Sequence, residues 1–311
     1  MKALVSTGYQ PLDQVTVVDL PTPSAGPGEV VLKVAAAALN PLDLALITGT
    51  MKDFYPVEHP LVIGMDAAGT VAEVGPGVTG YAPGDEVVAF TATAGAVAEY
   101  TVAVAGPRLA RRPAALDAAT AAALPESGMT AVCLLRAAGL RAGETVLVIG
   151  ATGGIGLYAV QLAGDLGARV IATATAPDAE YVRGLGATDT VDYRDGDVVE
   201  QTLRRVSGGV DVVVDLINRG DDLTATARAV RPGGRLVSPL FGPAELGGEV
   251  TPIYIGSFVP EPGDLDNLVR RAADGRLHVE IGARYPFDQA ALAVADFAAK
   301  HIRGKVVVTL V

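Results

Sequence analysis

The stretch Val146-Leu147-Val148-Ile149-Gly150-Ala151-Thr152-Gly153-Gly154-Ile155-Gly156 decides the fold of this 311-residue chain. An apolar, β-branched run enters a glycine-rich turn, and Ile155, Ala159, Leu162 and Leu166 then recur at helical spacing. A strand, a tight turn and a helix start together present backbone N–H groups and the positive end of a helix dipole to an anion. Gly153 has no Cβ, so a pyrophosphate can approach the backbone, and Gly156 lets the helix pack close to the strand. Ala151 stands where the strict G-x-G-x-x-G pattern begins, so the weight falls on context rather than on the motif. That context predicts a dinucleotide held by Ala151, Thr152, Gly153, Gly154 and Ile155.

Outward from the turn, the pattern alternates. Strands are predicted at 145–149, 170–173, 190–193, 210–217 and 235–239, with helices at 155–166, 180–185, 198–206 and 223–230. Such βαβ units imply an α/β fold with a doubly wound parallel sheet. Residues 114–124 and 129–138 are helical in character. The first third reads as short strands at 2–7, 15–20, 29–35, 69–74, 86–90 and 96–104. Gly26-Pro27-Gly28, Gly75-Pro76-Gly77 and Pro83-Gly84-Asp85 punctuate them, giving an antiparallel, partly barrel-like β domain. Asn40-Pro41-Leu42-Asp43 opens a short helix with Pro41 in its first turn. Beyond residue 265 the alternation is lost: helices at 265–273 and 289–300 accompany extended segments at 277–281 and 305–310. The chain is therefore expected to return to its first domain, giving a division into 1–118 with 277–311, and 119–276.

Composition narrows the function. Hydrophobic residues make up 50% and charged residues 19%, enough to bury a core. The formal net charge of −11 argues against nucleic-acid binding. The lone Cys133 fits a reducing cytoplasm and most simply fills an apolar helix face. The first residues carry no apolar run of the length a secretory signal needs. The apolar stretch 87–106 is rich in Ala, Gly and Thr and includes Glu99, so it reads as β-structure rather than a membrane span.

The choice of dinucleotide follows from the strand after the turn. An NAD site usually places an acid at its end. Here Arg169-Val170-Ile171-Ala172-Thr173-Ala174-Thr175-Ala176 contains none before Asp178. Thr173 and Thr175 offer hydroxyls and leave room for a 2′-phosphate, which favours NADPH. No Lys or Arg lies in 173–180, so the missing contact falls to Arg183, Tyr193 or Arg194. Leu216 and Ile217, with Phe241 and Gly242, end later strands where a nicotinamide would pass.

Several blocks in one order carry a family resemblance: Asn40-Pro41-Leu42-Asp43, Gly64-Met65-Asp66-Ala67-Ala68-Gly69, Gly84-Asp85-Glu86-Val87, Ser127-Gly128-Met129-Thr130-Ala131, the turn itself, Leu185-Gly186-Ala187 and Gly304-Lys305-Val306-Val307. The chain resembles the medium-chain dehydrogenase/reductase superfamily, in its zinc-independent NADPH:quinone oxidoreductase (zeta-crystallin-like) group. The resemblance implies a GroES-like domain, a Rossmann domain with a cofactor cleft between them, NADPH as hydride donor and a homodimer; residues 253–259 would be an edge strand pairing across it. Zinc relatives carry Cys and His where this chain has Asn40 and Met65. With Cys133, His59, His278 and His301 scattered, no metal site is expected. Short-chain dehydrogenases need a Tyr with a Lys four residues on, and none of the nine tyrosines has one.

Without metal the chemistry rests on the cofactor, on orientation and on a donor to the developing oxyanion. The resemblance implies that Tyr55 is a cleft tyrosine able to give its phenol proton. Asn40 either bonds substrate or ribose, or caps a helix. Asp43 supports its loop. Ser127, Thr130 and Lys305 are implied near the cofactor. The expected activity is reduction of a quinone or an α,β-unsaturated carbonyl. The alternatives are an enoyl-thioester reductase and a low-turnover NADPH-binding redox sensor or structural protein.

Overall fold

The computed structural model describes residues 1–91, 95–256 and 259–310. The chain forms two compact units, Met1–Ser127 with Pro260–Val311, and Gly128–Val259. Sequence reading divides the chain at 118/119 and 276/277; the compact units divide at 127/128 and 259/260. No helix among the described residues is long and apolar enough to cross a membrane.

The first unit opens with β1 (Lys2–Ser6), β2 (Thr16–Asp19), β3 (Glu29–Leu39), α1 (Pro41–Thr48), β4 (Leu61–Val62), β5 (Asp66–Val74), β6 (Glu86–Phe90), β7 (Tyr100–Val104) and β8 (Leu109–Arg111). It continues with α2 (Ala118–Ala122) and α3 (Pro125–Ala137), which runs on into the second unit. Strands β2, β1 and β4 form a small antiparallel sheet. In the larger sheet β3 pairs antiparallel with β5 and β7, and β5 pairs with β6.

Strand β3 runs four residues beyond the expected end at 35. Its Ala36, Ala37 and Ala38 are fully buried and pair with β5 on one side and the last strand on the other. Neighbours on both edges override the weak strand propensity of alanine. The stretch 87–106 contains β6 and β7, with residues 92–94 outside the described set.

The second unit contributes β9 (Thr145–Ile149), α4 (Gly154–Asp165), β10 (Arg169–Thr173), α5 (Ala176–Gly184), β11 (Asp189–Val191), α6 (Val198–Arg205), β12 (Val210–Asp215), α7 (Asp222–Ala227), β13 (Val230–Ser238) and β14 (Thr251–Tyr254). The strands are all parallel, in the order β11-β10-β9-β12-β13-β14. This 3-2-1-4-5-6 order is that of a doubly wound dinucleotide-binding sheet, with its switch point beside β9. Leu147, Ile171, Val191, Val213, Leu223 and Leu236 lie in its core. The edge strand expected at 253–259 lies at 251–254, and residues 257–258 are outside the described set.

The chain then returns to the first unit through α8 (Asp264–Ala273), β15 (Ile281–Pro286), α9 (Ala290–Ala299) and β16 (Lys305–Thr309). β16 pairs antiparallel with β3 and parallel with β15. Val294, Val306 and Val308 share a core with Leu4, Leu39 and Ile47. The extended segment expected at 277–281 is displaced to 281–286, whose alternating exposure is that of an edge strand.

Candidate functional site

The turn after β9 is held by its own backbone. Gly150 has φ +82°, a left-handed conformation glycine adopts without strain, and a Cβ there would meet Ile217 at 2.9 Å. The Gly150 N–H donates to Thr173 Oγ1 at 2.9 Å, and that hydroxyl lies 3.3 Å from the Val148 carbonyl. At Gly156 a Cβ would sit 2.1 Å from the Gly150 carbonyl oxygen, which no side chain tolerates. Gly153 is the N-cap of α4, and among the described residues no side chain caps that helix end. Ala151 and Thr152 are buried, whereas Gly153, Gly154 and Ile155 are half-buried. The turn therefore offers an uncapped helix N-terminus at an accessible backbone, the donor set a pyrophosphate needs.

Other named residues of this unit lie at strand ends. Thr173 is committed to the turn, a role the sequence reading did not assign it. Thr175 caps α5, its hydroxyl donating to Asp178 Oδ2 at 3.0 Å. Tyr193 is exposed after β11, with the Arg194 guanidinium over its ring. Leu216 and Ile217 follow β12, and Ile217 is exposed. Phe241 and Gly242 follow β13; Phe241 is exposed, and its carbonyl accepts the Gly220 N–H at 2.9 Å. Asp215, missed by sequence reading, organises this end. Fully buried, it accepts the N–H groups of Ile217 and Asn218 at 3.0 and 2.9 Å and the Thr226 hydroxyl at 2.9 Å. Its signal is a lone acid closing Val212-Val213-Val214. On α3, Thr130 is buried and its Oγ1 has no hydrogen-bond partner among the described residues. A bound dinucleotide fits these features: a helix N-terminus with no side-chain cap at an accessible backbone, and an orphaned hydroxyl.

The first unit holds a second polar site. Asn40, Asp66, Ser127 and Lys305 are all essentially inaccessible. Asn40 stands at the N-cap of α1 in a capping box with Asp43, and its amide also joins the buried cluster: Nδ2 donates to Asp66 Oδ2 at 2.9 Å, and Oδ1 accepts from Lys305 Nζ. Lys305 also donates to Ser127 Oγ at 3.1 Å and pairs with Asp66 Oδ2 at 3.3 Å. The Glu126 N–H donates to Asp66 Oδ1 at 2.9 Å, and the Ser127 hydroxyl to Glu126 Oε2 at 2.9 Å. Asp43 Oδ2 accepts the Asn40 N–H at 2.7 Å, while its Oδ1 has no partner among the described residues. Burial raises the Asp43 carboxyl to about 7; the Asn40 N–H and Lys305 oppose this, and Asp66 and Glu126 reinforce it. Burial also raises Asp66, against Lys305 and its hydrogen bonds.

Tyr55 is half-buried in the segment after α1, with its N–H donating to the Met51 carbonyl at 2.8 Å. Cys133 is buried on α3, its Sγ 3.6 Å from the Val259 carbonyl oxygen. Among the described residues, no group of three or more His, Cys, Asp or Glu is placed to hold a metal ion.

Comparison with known proteins places these features in a lineage. Residues 26–113 match the alcohol dehydrogenase GroES-like domain, and residues 185–308 match the model described as zinc-binding dehydrogenase. A chloroplast envelope quinone oxidoreductase homolog of Arabidopsis thaliana is 33% identical over 310 residues, covering 94% of this chain and 92% of that protein. The chloroplastic NADPH-dependent alkenal/one oxidoreductase of the same plant is also 33% identical, over 99% of this chain and 79% of its own. The Escherichia coli quinone oxidoreductase complexed with NADPH superposes over 100% of both chains with a TM-score of 0.90 at 25% identity. The chain, with its GroES-like domain and Rossmann-type parallel sheet, belongs to the quinone oxidoreductase group of the medium-chain dehydrogenase/reductase superfamily.

Proposed function

We propose that this chain delivers hydride from a reduced nicotinamide dinucleotide, NADPH included, to a quinone or an α,β-unsaturated carbonyl without a metal ion. The observation that supports this most is the uncapped start of α4 at Gly153, in the first βα turn of a 3-2-1-4-5-6 sheet. When bound, the dinucleotide supplies the hydride. The chain's own residues bind and orient. The N–H groups at the start of α4 hold the pyrophosphate, and the Thr130 hydroxyl gains a partner. Asp215 fixes the Leu216–Asn218 backbone by accepting two of its N–H groups. The Tyr55 phenol is proposed to give the proton that reduction of a conjugated carbonyl consumes, and Asn40 and Lys305 to support the site from the start of α1 and of β16. The names of the relatives, quinone and alkenal/one oxidoreductases, support this substrate class. A small conjugated carbonyl, a homodimer and a cytoplasmic setting complete the proposal.

The test is oxidation of reduced dinucleotide followed at 340 nm against a panel of quinones, enones and enoyl thioesters. Turnover of the first two classes is expected, and faster turnover of thioesters moves the activity to enoyl-thioester reduction. Dinucleotide binding without oxidation of any panel member refutes the enzymatic reading in favour of a sensor. Tyr55→Phe is expected to lower turnover, and unchanged kinetics remove Tyr55 from the mechanism.

A further inference from the structure

In a doubly wound sheet the adenosine ribose of the dinucleotide meets the end of the strand that follows the glycine turn, here β10. The sequence has no acid between Thr173 and Ala176, but the fold brings two carboxylates there. Asp178, in the first turn of α5, accepts the Thr175 hydroxyl at 3.0 Å. Asp192, from the end of β11, accepts the Ala176 N–H on its Oδ2 at 3.0 Å and the Arg194 N–H on its Oδ1 at 2.8 Å. The donors with which the start of α5 would greet a phosphate, the cap hydroxyl and the first N–H, are thus both engaged by acids. The Thr173 hydroxyl is engaged by the glycine turn. The nearby cations are also turned to other partners. Arg183 donates to the Thr190 hydroxyl at 2.6 Å, and the Arg194 guanidinium lies 5.8 Å from the centre of the Tyr193 ring.

These groups fit a ribose better than a phosphate. A 2′-hydroxyl is a donor that a carboxylate accepts. A 2′-phosphate brings nearly two negative charges beside Asp178 and Asp192. We infer that this chain binds NADH at least as tightly as NADPH, with Asp178 and Asp192 discriminating against the 2′-phosphate. The inference rests on the dinucleotide reading proposed above and deepens it: NADPH remains a donor without being the preferred one. It reverses the preference drawn from the absence of an acid in 173–176, because the relevant acids arrive from the next helix and the next strand.

Direct binding tests it without any substrate. The full-length chain is titrated with NADH and with NADPH at low ionic strength, following nicotinamide fluorescence or heat. The expected result is a Kd for NADH equal to or below that for NADPH. Asp178→Asn and Asp192→Asn are each expected to shift the ratio of the two constants toward NADPH by about threefold, the effect of one partly exposed charge. Added salt is expected to strengthen NADPH binding relative to NADH, as screening weakens the repulsion. Circular dichroism checks that each variant folds, and the unsubstituted chain alone decides the first expectation. NADPH bound tighter than NADH, by more than the error of the titration, overturns the inference while leaving the proposed function standing. Selective loss of NADPH affinity in Arg194→Ala also overturns it, by revealing a phosphate ligand. Binding of neither dinucleotide overturns the proposed function together with the inference.

Discussion

The turn at residues 150–156 and the cluster around Lys305 are both polar sites, and they handle their polar groups in opposite ways. The turn keeps side-chain charge out and presents backbone N–H groups at a half-buried edge. The cluster draws an ammonium, carboxylates, an amide and a hydroxyl out of water and satisfies them against one another. A site with unmet donors is prepared for a ligand. A site with its donors met is prepared to stay as it is, and among the described residues only Asp43 Oδ1 in the cluster is left over. Buried ion pairs are expensive to desolvate and depend on complete partnering. The cluster should therefore respond sharply to loss of one member, and the turn should respond through binding more than through stability.

Lys305→Met is the largest test of that contrast. It removes the cation from Asp66 and the donor from Asn40 Oδ1 and Ser127 Oγ, leaving them buried. A loss of about 3–5 kcal/mol in unfolding free energy is expected, measured by urea titration of the full chain. A loss below about 1 kcal/mol, the range of an exposed pair, would show that the cluster is not sealed.

Asp43 gives the next effect, through pH. Its carboxyl titrates at about 7 when folded against 3.8 as a free group. Between these values the folded chain holds a proton that the unfolded chain has released. Stability is therefore full below pH 4 and falls as pH rises toward and through 7, by up to about 4 kcal/mol from this group. Asp66 moves in the same direction and adds to the slope. Asp43→Asn fixes the neutral form and still offers an oxygen to the Asn40 N–H. Its stability relative to the unsubstituted chain is expected to rise from pH 5 to pH 8; an unchanging difference across that range would place the Asp43 titration near its ordinary value.

What was legible in the sequence follows the same divide. The glycine turn, β9 and the βα alternation around them are written in consecutive residues, and periodicity reads them directly. Lys305 and Asn40 meet across 265 positions, and Lys305 and Asp66 across 239. No local pattern signals such a meeting, so the resemblance marked Asn40, Ser127 and Lys305 as separate residues without joining them. Asp66 and Glu126 went unmarked as members of a site. The acids beside the start of α5 leave no local signal for the same reason: Asp192 reaches the Ala176 N–H because β10 and β11 pair in parallel. The Ala36–Ala38 portion of β3 was lost because alanine has no strand signature until both its edges are paired.

Within the turn, Gly156→Ala asks how closely α4 and β9 must approach. The added Cβ would meet the Gly150 carbonyl oxygen at 2.1 Å and the Ala151 Cα at 2.7 Å, both backbone atoms. Relief requires the helix start to move, at a cost of about 1–3 kcal/mol. Displacement of the N–H groups of Gly154 and Ile155 is expected to weaken dinucleotide binding beyond that stability loss. Calorimetry on the folded variant separates the two, and unchanged affinity would mean that the helix start does not hold the phosphates.

Thr130→Val is the smallest and most diagnostic change. The Thr130 hydroxyl is buried without a partner among the described residues, so in the free chain it is a cost. Valine has nearly the same shape without that oxygen, and the variant is expected to be as stable as the parent or up to about 1 kcal/mol more stable. If the hydroxyl is there to meet a dinucleotide, the same substitution removes one ligand hydrogen bond. Affinity should then fall about three- to tenfold, the worth of about 1 kcal/mol. Stability and affinity thus move in opposite directions, which a residue serving only the packing of α3 would not produce. Equal or tighter dinucleotide binding by Thr130→Val would assign Thr130 to the helix core and confine the cofactor contacts to the turn and the strand ends.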